Sequence, residues 1–484
     1  MKRFFFCRLI ALGALIVLAL PAAAQVQVNP LFTDNMVLQQ RAEVPVWGKA
    51  APGATVTVKP SWTAKTATTV ADADGRWSVT LTTPRGSFRK HSLTISDGSD
   101  ESLRIQNVLV GEVWFCSGQS NMEMPVKGYG SQPAKGATDL IVRARADRPI
   151  RMCKIVRRSI TTPQDTVTTE GWKVHSPEAV ANTSATAYFF AEYLQDVLGI
   201  PVGILESDWG GSSIETWIDE ETIRRDFAGE FDNSYLKTGK VNPKRQHQEP
   251  CLLYNGQVHA LVPYTFKGML WYQGETNRGR PDQYIRLQAA YVKMMREKFQ
   301  VPDAPFYFVQ IAPYPYNAPE AWTSGYFYEA QQKSLAVIPH SGMAATVDIG
   351  EFGTIHPHQK AEVGRRLALL ALQHDYGVGG IEADAPTYKS FSVEDGKAVV
   401  TFNVDQLGIN PMGQDLAGFE VAGADKVFHP ATARQKNGTT IVLSCEEVPE
   451  PVAVRYCFRN WAVGSVFNAY GIPLTPFRTD DWAL

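Results

Sequence analysis

The chain has 484 residues, 44% hydrophobic, 20% charged and 11% aromatic, too long for one ordinary core and globular in composition, so two or three domains are expected. With 47 basic against 49 acidic residues the net charge is −2, and no Lys/Arg cluster is interleaved with aromatics, which argues against a nucleic-acid partner. The cysteines past residue 24, Cys116, Cys153, Cys251, Cys445 and Cys457, are scattered and odd in number, which argues against a disulfide framework, although Cys445 and Cys457 are placed where neighbouring strands would allow a bridge. No Cys-x-x-Cys or His-x-x-x-His spacing occurs, so neither metal nor cofactor is expected.

Residues 1–24 read as a secretory signal peptide. Lys2 and Arg3 precede an apolar run over 9–20, followed by Pro21 and the small residues Ala22, Ala23 and Ala24. That run is shorter than the roughly 18 residues a spanning helix needs, and no later stretch reaches that length. Cys7 lies ahead of the run, badly placed for lipid attachment at the cleavage site. The mature protein is therefore expected to be exported, periplasmic or secreted, without an integral membrane segment.

Residues 25–107 alternate apolar and polar positions over 54–58 and 77–82, with turn clusters at Pro52-Gly53, Asp74-Gly75 and Asp97-Gly98 between them, the pattern of a small β-sandwich. Over 108–380 the texture changes. A buried strand over 113–116 is followed by a helix over 185–198, stopped by Gly199 and Pro201, and a strand over 202–205. A second helix over 284–299, a strand over 306–311, another over 343–347 and a helix over 360–374 complete the βα alternation of a parallel sheet. In 381–484 the β texture returns, with runs at 398–402, 440–443 and 452–456 that read as a second sandwich.

In an open parallel sheet, functional groups collect beyond the carboxyl ends of the strands. Four polar clusters sit there: Gly118-Gln119-Ser120-Asn121, Ser207-Asp208-Trp209-Gly210-Gly211-Ser212-Ser213, Gln273-Gly274-Glu275-Thr276-Asn277, and the stretch from Asp348 to His356-Pro357-His358. Singly each is explained as a Gly-rich loop, a helix cap or a satisfied histidine. Together they supply a nucleophile, a base, backbone N–H donors and a side-chain amide, which are the parts of acyl transfer. Ser120 is the candidate nucleophile and His356 the candidate base. Ser120 N–H, Gly211 N–H and the Gln273 amide are the candidate oxyanion donors, Gly211 because a residue without Cβ lets the backbone approach. Of the aromatics Trp209, Trp217, Tyr254, Trp271 and Tyr272 around these clusters, most are expected in the core.

The same segments resemble the sialate O-acetylesterase family within the SGNH/GDSL hydrolase superfamily. The resemblance is carried by Leu38-Gln39-Gln40, the run from Gly111 to Met122, that from Ser207 to Glu215, Tyr254-Asn255-Gly256, Gly268 to Asn277, Ile355 to Lys360 and the C-terminal run from Gly471 to Asp480, most of the mature chain. It implies an SGNH-type three-layer α/β hydrolase core with a parallel sheet, flanked by N- and C-terminal β-sandwich segments. It also implies a serine esterase acting on acetylated carbohydrate, with O-acetylated sialic acid ahead of acetylated xylan or another glycan. Ser120 and His356 take the nucleophile and base roles, with Gly211 and Gln273 lining the oxyanion site.

The superfamily places an acid two or three residues before the histidine, where this chain has Thr354 and Gly353. Asp348 and Glu351 are the nearest carboxylates, with Glu275 and Asn255 as further orienting candidates, but a carbonyl or another noncarboxylate partner is the expected holder of His356. His358 is the rival base. Glu275 and Glu215 also open a glycosidase reading, which needs two carboxylates on opposite sides of a sugar and leaves the Ser/Gly/Gln/His set without a role. A glycan-binding protein with an inactive core is the reading from outside catalysis. The sequence says nothing of oligomeric state.

Overall fold

A computed structural model describes residues 25–99 and 101–482, so the signal-peptide reading lies outside the described residues. Its centre is a sheet of six parallel strands, β1 (Leu103–Gly118), β2 (Ile150–Lys154), β3 (Val202–Asp208), β4 (Gly268–Tyr272), β5 (Phe306–Val309) and β6 (Ser341–Ala344), in the spatial order β2-β3-β1-β4-β5-β6. Parallel strands buried on both faces read as continuous apolar runs rather than alternations, and β1 shows why. Val113 and Phe115 enter one apolar cluster with Met269, Trp271 and Tyr291, whereas Trp114 and Cys116 enter another with Leu270, Tyr272 and Phe190.

Helices cover both faces. α1 (Ser120–Glu123) is a single turn, α2 (Ala185–Leu198) packs on α5 (Lys360–His374), and α3 (Pro281–Lys298) packs on α4 (Thr323–Val337). The result is the three-layer α/β core expected. α2 ends where its sequence signal places it, with Gly199 closing the helix in the left-handed region at φ 62°, and at its start the Ser184 hydroxyl accepts from Ala187 N–H at 3.2 Å.

β1 runs through residues 107 and 108, so the N-terminal segment and the core share a strand: its first half pairs with Ser87–Ser96 and Val37–Gln39, its second with β3 and β4. In Arg76–Thr82 the buried positions are Trp77, Val79 and Leu81, the period-two face of a half-buried strand. At the other end, the sheet of Thr387–Glu394, Lys397–Asn403, Thr440–Ser444 and Thr432–Asn437 shares a core with Phe419–Ala422, Ala453–Tyr456 and Phe477–Arg478 through Phe402, Ile441, Val421 and Tyr456. Cys445 and Cys457 are free thiols: Cys445 Sγ faces Glu447 at 3.0 Å and Cys457 is buried, so the bridge the sequence allowed is absent. Among the described residues no helix is long and apolar enough to cross a membrane.

The strand order reverses beside β1: β2 and β3 lie on one side of it and β4 to β6 on the other. A crevice at such a switch point is where open α/β sheets hold their ligands, and Ser120 sits one residue past the helix cap that follows β1.

Candidate active site

The turn that presents Ser120 depends on Gly118. Its φ of +145° is one that side-chain-bearing residues rarely adopt, and a Cβ there would lie 2.2 Å from the Tyr272 carbonyl oxygen of β4. The chain breaks from the strand, Gln119 N–H donates to that same Tyr272 carbonyl at 2.9 Å, and α1 begins at Ser120. Gln119 also accepts from Gly274 and Thr276 N–H at 3.2 and 3.4 Å, which seats the 273–277 loop against the turn.

Ser120 Oγ lies 2.8 Å from His356 Nε2, although the two are far apart in the chain. The other ring nitrogen, Nδ1, lies 2.7 Å from Gln132 Oε1. An amide oxygen accepts, so Nδ1 carries the hydrogen and Nε2 is left as the acceptor of the serine proton. The ring is also packed edge-on by Tyr129, centroids 5.3 Å apart, whose hydroxyl donates to the Ser120 carbonyl at 3.1 Å.

Neither candidate carboxylate reaches His356. Asp348 is held by the Arg366 guanidinium at 2.6 and 2.7 Å, and Glu351 accepts from His358 at both its backbone N–H and its Nδ1, each at 2.5 Å. His358, the rival base, is turned to Glu351 by the same contacts, and among the described residues none of its hydrogen bonds reaches Ser120. The group that meets His356 Nδ1 is instead the side-chain amide of Gln132, which no motif marks: it lies in an aperiodic loop after α1. Asn255 donates to the Thr161 carbonyl at 3.1 Å, and none of its hydrogen bonds reaches Ser120 or His356. Glu275 does reach the turn, accepting from Asn121 Nδ2 at 2.7 Å.

Of the three candidate oxyanion donors, two have a hydrogen to spare. The N–H groups of Ser120 and Gly211 have no acceptor among the described residues. Gly211 adopts φ +74°, and a Cβ there would meet His247 Nε2 at 3.3 Å. The Gln273 amide is a correction. Its Nε2 donates to Asn277 Oδ1 at 2.7 Å and to the Ser212 carbonyl at 3.2 Å, so both hydrogens are spent on holding loops together. Glu123, buried in α1, accepts from Gly210 N–H at 2.7 Å and pairs with Arg157, fixing the loop beside Ser120.

Glu215 is likewise tied down, by Asn277 Nδ2 at 2.8 Å and Arg280 at 2.7 Å, which makes it a structural carboxylate rather than half of a glycosidase pair. Among the five aromatics near the motifs, Trp217, Tyr254, Trp271 and Tyr272 are buried in the core. Trp209 is half-buried, stacked on His247 at 6.1 Å with Arg157 over its ring at 5.7 Å.

Burial, and then the positive charge of Lys360, hold the His356 imidazole down at about 4, against 6.5 for a free histidine. A base must be neutral to take a proton, so activity that depends on His356 rises as pH climbs through its pKa and is full above it. The acid limb of kcat/KM is therefore expected near pH 4; a limb near 6.5 would show the imidazole to be unperturbed or His356 not to be the base.

The family model described as "Carbohydrate esterase, sialic acid-specific acetylesterase" matches residues 110–373. The sialate O-acetylesterase of Mus musculus is 28% identical over 491 residues, covering 89% of each chain, and that of Homo sapiens is 27% identical over 470 residues, covering 88% of this chain and 86% of its own. A solved structure titled as a novel carbohydrate acetylesterase from Xanthomonas citri shares 34% identity with a TM-score of 0.83, covering 94% of this chain and 100% of its own.

Proposed function

Since this chain belongs to the sialic acid-specific acetylesterase family of carbohydrate esterases and is a carboxylic ester hydrolase that acts on acetylated sugars, we propose that it works through an acetyl-enzyme on Ser120, with His356 as base and Gln132 as the group that orients it. The observation that carries this reading is the 2.8 Å approach of Ser120 Oγ to His356 Nε2, with Nδ1 held by an acceptor on the far side. Ser120 attacks the acetyl carbonyl as its proton passes to His356 Nε2. The tetrahedral oxyanion is received by the N–H groups of Ser120 and Gly211, each worth about 3–4 kcal/mol in such a role. His356 then gives the proton to the departing sugar hydroxyl, and water, deprotonated by the same imidazole, releases acetate and restores Ser120.

Gln132 supplies orientation without charge. A carboxylate in its place would stabilise the imidazolium and raise the histidine pKa, whereas an amide leaves burial to dominate. Gln132→Ala is expected to lower kcat by about tenfold to a hundredfold, the usual cost of losing an orienting partner. Gln132→Glu should move the acid limb upward, because an anion now faces the ring; a limb that stays put in Gln132→Glu would contradict the contact. Asp348→Asn makes the opposite case. It breaks a buried pair with Arg366 and should lower stability by about 3 kcal/mol, at the low end because Glu362 still faces the guanidinium, while kcat of the folded enzyme stays within about tenfold of wild type. Thermal unfolding and kcat measured on the same preparation check both halves.

O-acetylated sialic acid is the substrate we infer. The family description and the sialate O-acetylesterase relatives support it. The second reading is acetylated xylan or another acetylated glycan, since the structure from Xanthomonas citri is titled only as a carbohydrate acetylesterase. Acetate release from matched panels of acetylated sialosides and acetylated xylo-oligosaccharides decides between them: faster turnover of the sialosides is expected, and turnover of the neutral panel alone would overturn the assignment. Export rests on residues 1–24, and the N-terminal sequence of the protein recovered from cell fractions tests it.

A further inference from the structure

We propose that Lys360 is a positioning residue of this site: acting through the amide of Asn121, it holds the loop that carries His356 against the turn that carries Ser120, with Glu275 as the counter-charge. The inference rests on the Ser120–His356 reading above.

Asn121 follows Ser120 directly and is fully buried. Its Nδ2 donates to Glu275 Oε1 at 2.7 Å and to the carbonyl of Ile355, the residue before His356, at 3.0 Å, while its Oδ1 accepts from Lys360 Nζ at 2.5 Å. Those neighbours fix which way round the amide sits, since the flipped amide would turn its NH2 on an ammonium and its oxygen on a carboxylate. One side chain thereby ties together the nucleophile turn, the 273–277 loop and the histidine loop. Lys360 keeps that amide in place.

A lysine is an expensive choice here. It is the first residue of α5, where the helix dipole disfavours a cation, and it has no exposed surface. If it only filled space, with its ammonium 5.3 Å from the centre of the Tyr272 ring, a methionine would serve. The charged and titratable groups that face it are Glu275 and Tyr272 at the end of β4, and Glu351 and His356 from the loop before α5. Burial brings the ammonium down to about 7, against the pull of Glu275 and Glu351, so it is charged throughout the acid range in which His356 titrates. Around His356 itself stand Ser120, Gln132, Tyr129 and Lys360, and among these Lys360 is the cation. Its charge works against protonation of the base.

Lys360→Met removes donor and charge; Lys360→Gln removes the charge and keeps a donor for Asn121. Lys360→Met is expected to lower kcat by at least about tenfold with KM within about twofold, as for lost positioning rather than lost binding. Both variants should move the acid limb of kcat/KM up from near 4 toward 6.5, since a neighbouring cation no longer opposes the imidazolium. Lys360→Gln should recover most of kcat but not the limb. If Lys360→Met does not fold, the limb of Lys360→Gln decides. Asn121→Ala combined with Lys360→Met should be no slower than Asn121→Ala alone, because one acts through the other. An unmoved limb, or losses that multiply in the double variant, would overturn the proposal. Ser120→Ala assayed in parallel separates the two levels: an inactive Ser120→Ala with an unmoved limb defeats this inference alone, and an active one defeats the reading beneath it.

Discussion

Ser120→Ala is expected to abolish ester hydrolysis while leaving the fold intact, with kcat lowered by on the order of 10^4 or more. The size of the loss follows from what the hydroxyl does. In the proposed mechanism it is the atom that bonds to the acetyl carbon, and with it gone the remaining donors and the base have no acyl acceptor to act on. The stability half follows from where it sits. Ser120 is half-buried on a turn shaped by Gly118, and its hydroxyl bonds to His356 rather than to any element of the core. Thermal unfolding should therefore match wild type, and sugar binding should survive. Residual activity above about 1% of wild type would count heavily against Ser120 as nucleophile, because losing a nucleophile costs far more than that.

His356→Gln should cost nearly as much, again on the order of 10^4 or more in kcat. Glutamine fills similar space and keeps a hydrogen-bonding partner for Ser120, but it takes no proton, so the serine remains a neutral alcohol. The double variant with Ser120→Ala should be no worse than either single one, since residues that work as a unit do not lose their contributions separately. Two further features make the assignment specific. The residual activity should show no acid limb, because in the proposed mechanism the group whose titration sets that limb is gone. His358, two residues on, should not substitute, since its side chain is turned to Glu351 and, among the described residues, none of its hydrogen bonds reaches Ser120. Recovery of activity at high pH in His356→Gln would place the base elsewhere.

What the sequence made legible was what local chemistry controls. α2 and α5 were readable from 3.6-residue periodicity and, for α2, from the stop at Gly199 and Pro201, and the run around β1 from its unbroken apolarity. α4 was not read, because its Thr-Ser-Gly-Tyr-Phe-Tyr start has weak periodicity and poor helix formers; its Phe327 and Tyr328 are helical because they pack against the core under α3. At the site, Ser120, His356 and Gly211 stood out because each closes a strand or sits in a polar loop beyond one. Gln132 gave no such signal, since its role is defined only by a contact across the fold. Gln273 shows the converse: its motif position is right for a donor, yet Asn277 and the Ser212 carbonyl take both its hydrogens. Asp348 was plausible by proximity in sequence, and Arg366 claims it.

The most direct test of a nucleophilic Ser120 is covalent. A fluorophosphonate reacts with a serine that a neighbouring base has activated and leaves other serines alone. Titrated against the enzyme and mapped by peptide mass spectrometry, it should attach to Ser120 with activity falling in proportion to label, and Ser120→Ala should take up none. Activity that persists with Ser120 fully labelled, or that disappears as another residue is labelled, would contradict the account.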